Sequence, residues 1–147
     1  MNHQINTGLL AYGMSGKVFH ATFVEEHPAF NFKAIVERSK KLAQVDYPNI
    51  ISYNSVEDLL ADDSIDLVII NTPNYTHYDY AKKALNAGKH ILVEKPFTAN
   101  TAQAKEVFAL AKSLGKKALV YQNRRYDSGF NAVKNIIESG KLGKLVE

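Results

Sequence analysis

The sequence has no cysteine, which removes disulfides and thiolate metal sites from consideration. No apolar run approaches the roughly 20 residues that cross a bilayer. The N-terminal "MNHQINTG" is polar and has no apolar stretch of the kind that makes a secretory signal. Internal repeats and low-complexity linkers are also missing. So is a strong charge imbalance: 18 Lys and Arg stand against 15 Asp and Glu, a net charge of +3. The basic residues are scattered (Lys82 and Lys83, Lys116 and Lys117, Arg124 and Arg125, Lys141 and Lys144), as expected for solvated helix faces and ends. The two densest runs, "KSLGKK" and "NRRYD", fall on different elements, which argues against a nucleic-acid surface. A mild positive field still suits a phosphate-bearing ligand. "NYT" at Asn74 fits a glycosylation acceptor but lacks a secretory context. These absences lead to the expectation of a cytoplasmic protein, with no membrane and no nucleic acid among its partners.

What is present is 147 residues, 46% hydrophobic and 22% charged, enough for about one domain with one substantial core. Apolar runs alternate with helical patterns along the chain. Strands are predicted in "TGLLAYG", "NFKAIVE", "NIISY", "IDLVIIN", "HILVEK" and "ALVYQN". Helices are predicted in "GKVFHATFVEEHP", a short "KKLAQVDYP", "SVEDLL" with Ser55 as N-cap, "THYDYAKKALNAGK" closing at Gly88, "NTAQAKEVFALAKSLGKK" closing at Gly115, and "SGFNAVKNIIESGKLG". Strands separated by helices of this length need crossover connections. The expected fold is therefore α/β, a doubly wound parallel sheet of Rossmann type with helices on both faces. "KLVE" at the end reads as the start of one more strand. A dinucleotide-binding domain is expected over 1–143, with 144–147 opening a second, substrate-binding domain of a longer chain.

Between the first strand and the first helix lies Ala11-x-Gly13-x-x-Gly16, a glycine loop with alanine in its first position. The first position makes the tight turn, the second lets backbone approach a pyrophosphate, and the third lets helix pack on strand. Alanine is tolerated there if the backbone keeps φ negative. Tyr12, Gly13, Met14, Ser15 and Gly16 are thus candidate cofactor contacts, with the phosphate at the helix N-terminus. Such a loop calls for an acid at the end of the second strand to accept bonds from the adenosine ribose. Glu37 stands there. Arg38 beside it could pair with a 2′-phosphate that Glu37 would repel, so the pair favours NAD and leaves NADP open.

Three later strand ends carry polar clusters: "NTPNYTH" from Asn71 to His77, "EKPF" from Glu94 to Phe97, and "YQNRRYD" from Tyr121 to Asp127. With "GLLAYGMSGKVFHA", "NTPNYTHYDYAKKAL", "GKHILVEKPFT" and "GKLGKLVE", they occur in an order and spacing that resembles the N-terminal domain of the Gfo/Idh/MocA oxidoreductases, over essentially the whole chain. "EKP" after a buried strand is the most specific of these motifs.

The resemblance implies an NAD(P)-dependent enzyme that moves hydride between the nicotinamide and a carbinol carbon of a sugar, polyol or related compound. It implies that Lys95 is the catalytic residue, set against the nicotinamide, and that Pro96 follows a cis peptide bond that aims it. Glu94 would bind the cofactor ribose or hold Lys95. Asn71, Thr72, Pro73 and Asn74 would line the cofactor groove, with His77 either beside it or held at its helix N-terminus by a backbone partner alone. Asn123 and Arg125 would lie near the nicotinamide, leaving Arg124 solvated. His20 is expected to pack or cap, and Tyr75, Tyr78 and Tyr80 to serve the surface. The family's second catalytic pair, an Asp and a His, belongs to a C-terminal domain that this sequence does not contain. The fragment is expected to bind dinucleotide without turnover, and to form homo-oligomers only at full length. The alternative is a non-catalytic dinucleotide sensor, which would have no need of Lys95.

Overall fold

The computed structural model describes residues 4–146. Its centre is a sheet of six parallel strands in the order β3-β2-β1-β4-β5-β6. The strands are β1 (Ile5–Leu9), β2 (Phe30–Val36), β3 (Ile51–Tyr53), β4 (Leu67–Ile70), β5 (His90–Val93) and β6 (Ala118–Val120). This is the doubly wound order, with its crevice at the carboxyl ends of β1 and β4, where the winding reverses. The helices are α1 (Thr22–Glu26), α2 (Ala43–Asp46), α3 (Val56–Leu60), α4 (His77–Asn86), α5 (Thr101–Ser113) and α6 (Ser128–Glu138). A π-helical turn, Gly16–Ala21, leads into α1.

The β-branched run of β4 is buried because both faces of the sheet are covered. Val68 and Ile70 join a core built with Leu59, Ala81, Leu85, Val107 and Ala111 of α3, α4 and α5. Ile69 points the other way, into a core with Val24 of α1 and Ala43 of α2. Pairing between β1 and β2 slips between Thr7 and Gly8, leaving Lys33 as an extra residue in β2. That bulge puts Phe32 and Ile35 on the same face, although they are three apart.

Several local expectations hold. The Ser55 side chain accepts the Asp58 N–H at 3.1 Å, and Gly88 and Gly115 close their helices at φ of 75° and 65°. Two differ. β1 starts at Ile5 and stops at Leu9, so "AYG" belongs to the turn. Its first residues, Ile5 and Asn6, extend along Phe30 and Asn31 of β2, while a side chain replaces the ladder beyond Leu10, as described below. "KLVE" forms no strand over Lys144–Val146, since no neighbouring strand is there to pair with it; Glu147 lies outside the described residues, as do residues 1–3 of the polar N-terminus. α6 packs mainly against the turn before it and leaves Phe130, Val133, Ile136 and Ile137 exposed. Among the described residues, no helix is long and apolar enough to cross a membrane.

Candidate cofactor and active site

The glycine loop is held by a carboxamide. Beyond β1, the Ala11 N–H donates to Asn71 Oδ1 at 3.1 Å and Asn71 Nδ2 donates to the Ala11 carbonyl at 2.8 Å. The end of β4 thereby fixes the turn out of β1 with a two-bond clamp. No non-glycine residue among those described has positive φ, so the Ala11 methyl is accommodated without strain. Gly16 has no such latitude. A Cβ there would sit 2.2 Å from the Ala11 carbonyl oxygen and 2.7 Å from Asn71 Nδ2. At Gly13, a Cβ would meet nothing within 4 Å. The loop backbone is bare where an incoming phosphate would need to reach it, so these residues fit a pyrophosphate.

A groove of about 370 Å³ opens at the carboxyl ends of the strands. Met14, Ser15 and Phe19 form its wall on the loop side, and Asn71, Thr72 and Asn74 come from the end of β4. Glu94 and Lys95 follow the end of β5, and Tyr121, Asn123 and Arg124 follow the end of β6. The Lys95–Pro96 bond is cis. The Lys95 ammonium is exposed and has no partner among the described residues. Glu94 is turned partly inward. Its Oε2 accepts the Lys95 N–H at 3.1 Å, and its Oε1 lies 3.0 Å from His20 Nε2.

Four expectations need correction. Glu37 is not offered to a ribose. Its side chain is buried, with Oε1 accepting the N–H groups of Leu42 (2.9 Å) and Ala43 (3.2 Å) and Oε2 accepting from Ser52 Oγ (3.0 Å). The free N–H groups at the start of α2 take up this carboxylate because no other cap is present there. What the end of β2 exposes instead is Arg38, Ser39 and Lys40. His77 is likewise buried, its Nδ1 2.9 Å from the Pro96 carbonyl and its Nε2 2.9 Å from that of Thr72. It ties two strand-end loops together behind the groove wall and does not face the groove. Arg124 rather than Arg125 borders the groove, its side chain largely exposed as expected and paired with Asp127 at 3.0 Å; successive side chains of the 3-10 turn Asn123–Tyr126 point about 120° apart. His20 does more than pack, since it holds Glu94.

The remaining candidates sit around these. Tyr12 donates to Asp46 Oδ2 at 2.6 Å, an oxygen that Lys17 also contacts, and so ties the loop to α2. The carbonyl of Pro73 accepts from Thr76 at the start of the following helix. Phe19 and Tyr121 join the groove without having been singled out. Tyr121 stood in a quoted strand-end motif, whereas Phe19 carried no signal beyond its place after the glycine loop.

Known proteins can now be compared with this geometry. A family model described as an oxidoreductase family with an NAD-binding Rossmann fold, GFO_IDH_MocA, matches residues 5–122. The chain is 45% identical to the uncharacterized oxidoreductase C115.03 of Schizosaccharomyces pombe, over 97% of this chain and 40% of that one. It is 33% identical to the scyllo-inositol 2-dehydrogenase (NADP(+)) IolW of Bacillus subtilis, over 94% of this chain and 38% of that one. An oxidoreductase structure from Bacillus cereus superposes with a TM-score of 0.89 at 35% identity, covering 96% of this chain and 41% of that one. The chain thus spans about 40% of the length of the curated relatives it matches. The matched motifs run from the glycine loop through "EKP" to the end of β6, and the chain belongs to the GFO_IDH_MocA oxidoreductases as their NAD-binding Rossmann domain.

Proposed function

We propose that this domain holds a nicotinamide dinucleotide for hydride exchange with a carbinol carbon of a sugar, polyol or similar substrate, and that its preferred form is NADP. The observation that carries the first part is the meeting of the open Gly13 loop, the Asn71 clamp and the free Lys95 ammonium around one groove. The bound cofactor supplies the hydride acceptor or donor. Gly13 gives the pyrophosphate close access to backbone, and Asn71 and Gly16 keep the loop and helix in register for it. Thr72, Asn74 and Glu94 offer polar groups to the nicotinamide half. The Lys95 ammonium is placed to steady negative charge on the substrate oxygen as the carbinol proton leaves. The protein beyond Glu147 would bring most substrate contacts, the acid/base and any oligomer interface, with residues 144–147 as the start of that second domain.

The preference for NADP rests on the end of β2. A 2′-phosphate would meet the exposed Arg38, Ser39 and Lys40, while the Glu37 carboxylate that would repel it is consumed by backbone donors. One relative's name, scyllo-inositol 2-dehydrogenase (NADP(+)), points to the same cofactor and to a polyol substrate.

Calorimetric titration of the chain with NAD, NADH, NADP and NADPH tests both parts. Micromolar binding of the phosphorylated pair, abolished in Gly13→Val, is the expected result. Binding of none would end the dinucleotide reading, and tighter binding of the unphosphorylated pair would end the NADP reading. Turnover is tested with full-length protein on a polyol and sugar panel.

A further inference from the structure

The groove does not account for one buried titratable group. His20, 2% exposed, sits in the π-helical turn Gly16–Ala21 that follows the glycine loop. Such turns insert a residue and re-aim a side chain, often at functional positions. Here the imidazole is directed at the end of β5, with Nε2 3.0 Å from Glu94 Oε1. Its ring packs at a tilt against Tyr121, 4.4 Å between centroids and 49° between planes, and the Tyr121 hydroxyl donates to the Phe19 carbonyl at 3.0 Å. Three elements therefore close on Glu94: the turn after the glycine loop, the end of β5 and the end of β6. The other Glu94 oxygen accepts the Lys95 N–H. A short path of contacts leads from the phosphate loop to the Lys95 backbone.

We infer that His20 is a positioning residue for the nicotinamide half of the site: acting only through Glu94, it sets the carboxylate that receives the nicotinamide ribose and orients Lys95. This rests on the dinucleotide reading above. In the neutral imidazole, Nε2 carries the proton and donates it to Glu94, which holds the carboxylate in one rotamer while leaving its outer edge to the groove. Burial lowers the pKa of His20, against the raising influence of Glu94, so the neutral form is the one that works near neutral pH. Glu94 is the acid facing the ring, and Tyr121 the other titratable group packed on it; the Tyr121 phenol is itself raised by burial.

The test compares two ligands on the intact chain. Adenosine 2′,5′-bisphosphate reaches only the adenosine side, whereas NADPH also reaches Glu94 and Lys95. His20→Asn is expected to weaken NADPH about tenfold, the loss of one charge-assisted hydrogen bond, and to leave the bisphosphate unchanged. Glu94→Gln should give the same pattern, and the double variant should be no worse than Glu94→Gln alone. His20→Gln, whose longer side chain carries its amide N–H to about the place of Nε2 where that of Asn falls short, should recover part of the loss. Equal weakening of both ligands would mark His20 as merely structural and overturn the inference. So would additive losses in the double variant, or unchanged NADPH binding in His20→Asn. If His20→Asn fails to fold, His20→Leu, which fills the buried space without an N–H, carries the same comparison. Should the unmodified chain bind neither of these ligands nor NADH, the dinucleotide reading falls first and takes this inference with it.

Discussion

Glu37 and Glu94 stand in equivalent places, just past the carboxyl ends of β2 and β5, and the fold uses them in opposite ways. Glu37 is buried, and both its oxygens are taken by the backbone of α2 and by Ser52. Glu94 binds one imidazole and one backbone N–H and keeps an edge on the groove. The difference lies in what surrounds each strand end. Six residues after β2 the chain enters a very short helix whose first N–H groups have no cap from their own N-cap residue, and the Glu37 carboxylate fills that need. After β5 it runs into the cis Lys95–Pro96 turn, where no helix start competes for the acid. An acid at a strand end is thus free to face the groove only where no nearby backbone claims it.

The largest expected effect of breaking this contrast is on stability. Glu37→Ala strands two backbone donors and a serine in the interior, and should cost roughly 3 kcal/mol in a denaturant titration. Next is cofactor choice. Arg38→Ala should weaken NADPH about thirtyfold, the worth of a charge-assisted contact to phosphate, with NADH nearly unchanged in the same titration. Equal losses for both would put the 2′-phosphate elsewhere. Smaller is Glu94→Ala, where groove water can replace the lost partners. It should cost about 1 kcal/mol of stability while reducing NADPH binding, the reverse of the balance at Glu37. The smallest effect is pH-dependent. Because burial lowers the pKa of His20, the unfolded chain takes up a proton that the folded protein resists. This contribution to stability is present above the ordinary histidine value of about 6.5 and is lost as pH falls below it towards the folded value. Denaturation midpoints across that range should fall less steeply in His20→Asn than in the unmodified chain.

Much of the fold was legible because its signals are local. The β-branched run of β4, the stops at Gly88 and Gly115 and the Ser55 cap each depend on residues within a few positions of one another. The glycine loop was legible for the same reason, and Ala11 proved compatible with it because its φ is negative. Asn71, Thr72, Asn74, Glu94, Lys95 and Asn123 line one groove because strand ends in such sheets converge on one edge. Errors arose where a long-range partner decides orientation. The burial of Glu37 depends on Ser52 and on where α2 starts. That of His77 depends on two carbonyls from separate loops. Whether Arg124 or Arg125 faces the groove is decided by a 3-10 turn that no periodicity announces. The pairing of His20 with Glu94 left no mark in spacing.

The amino-acid sequence by itself determined the alternation of strands and helices, hence the parallel sheet, and the types of residue gathered at its carboxyl edge. Those follow from hydrophobic periodicity and turn chemistry, which act between near neighbours. Tertiary structure alone decided which side chains face the groove and which are consumed in holding it. Hydrogen-bond donors buried by packing must find acceptors, and only the folded chain shows which acid is closest.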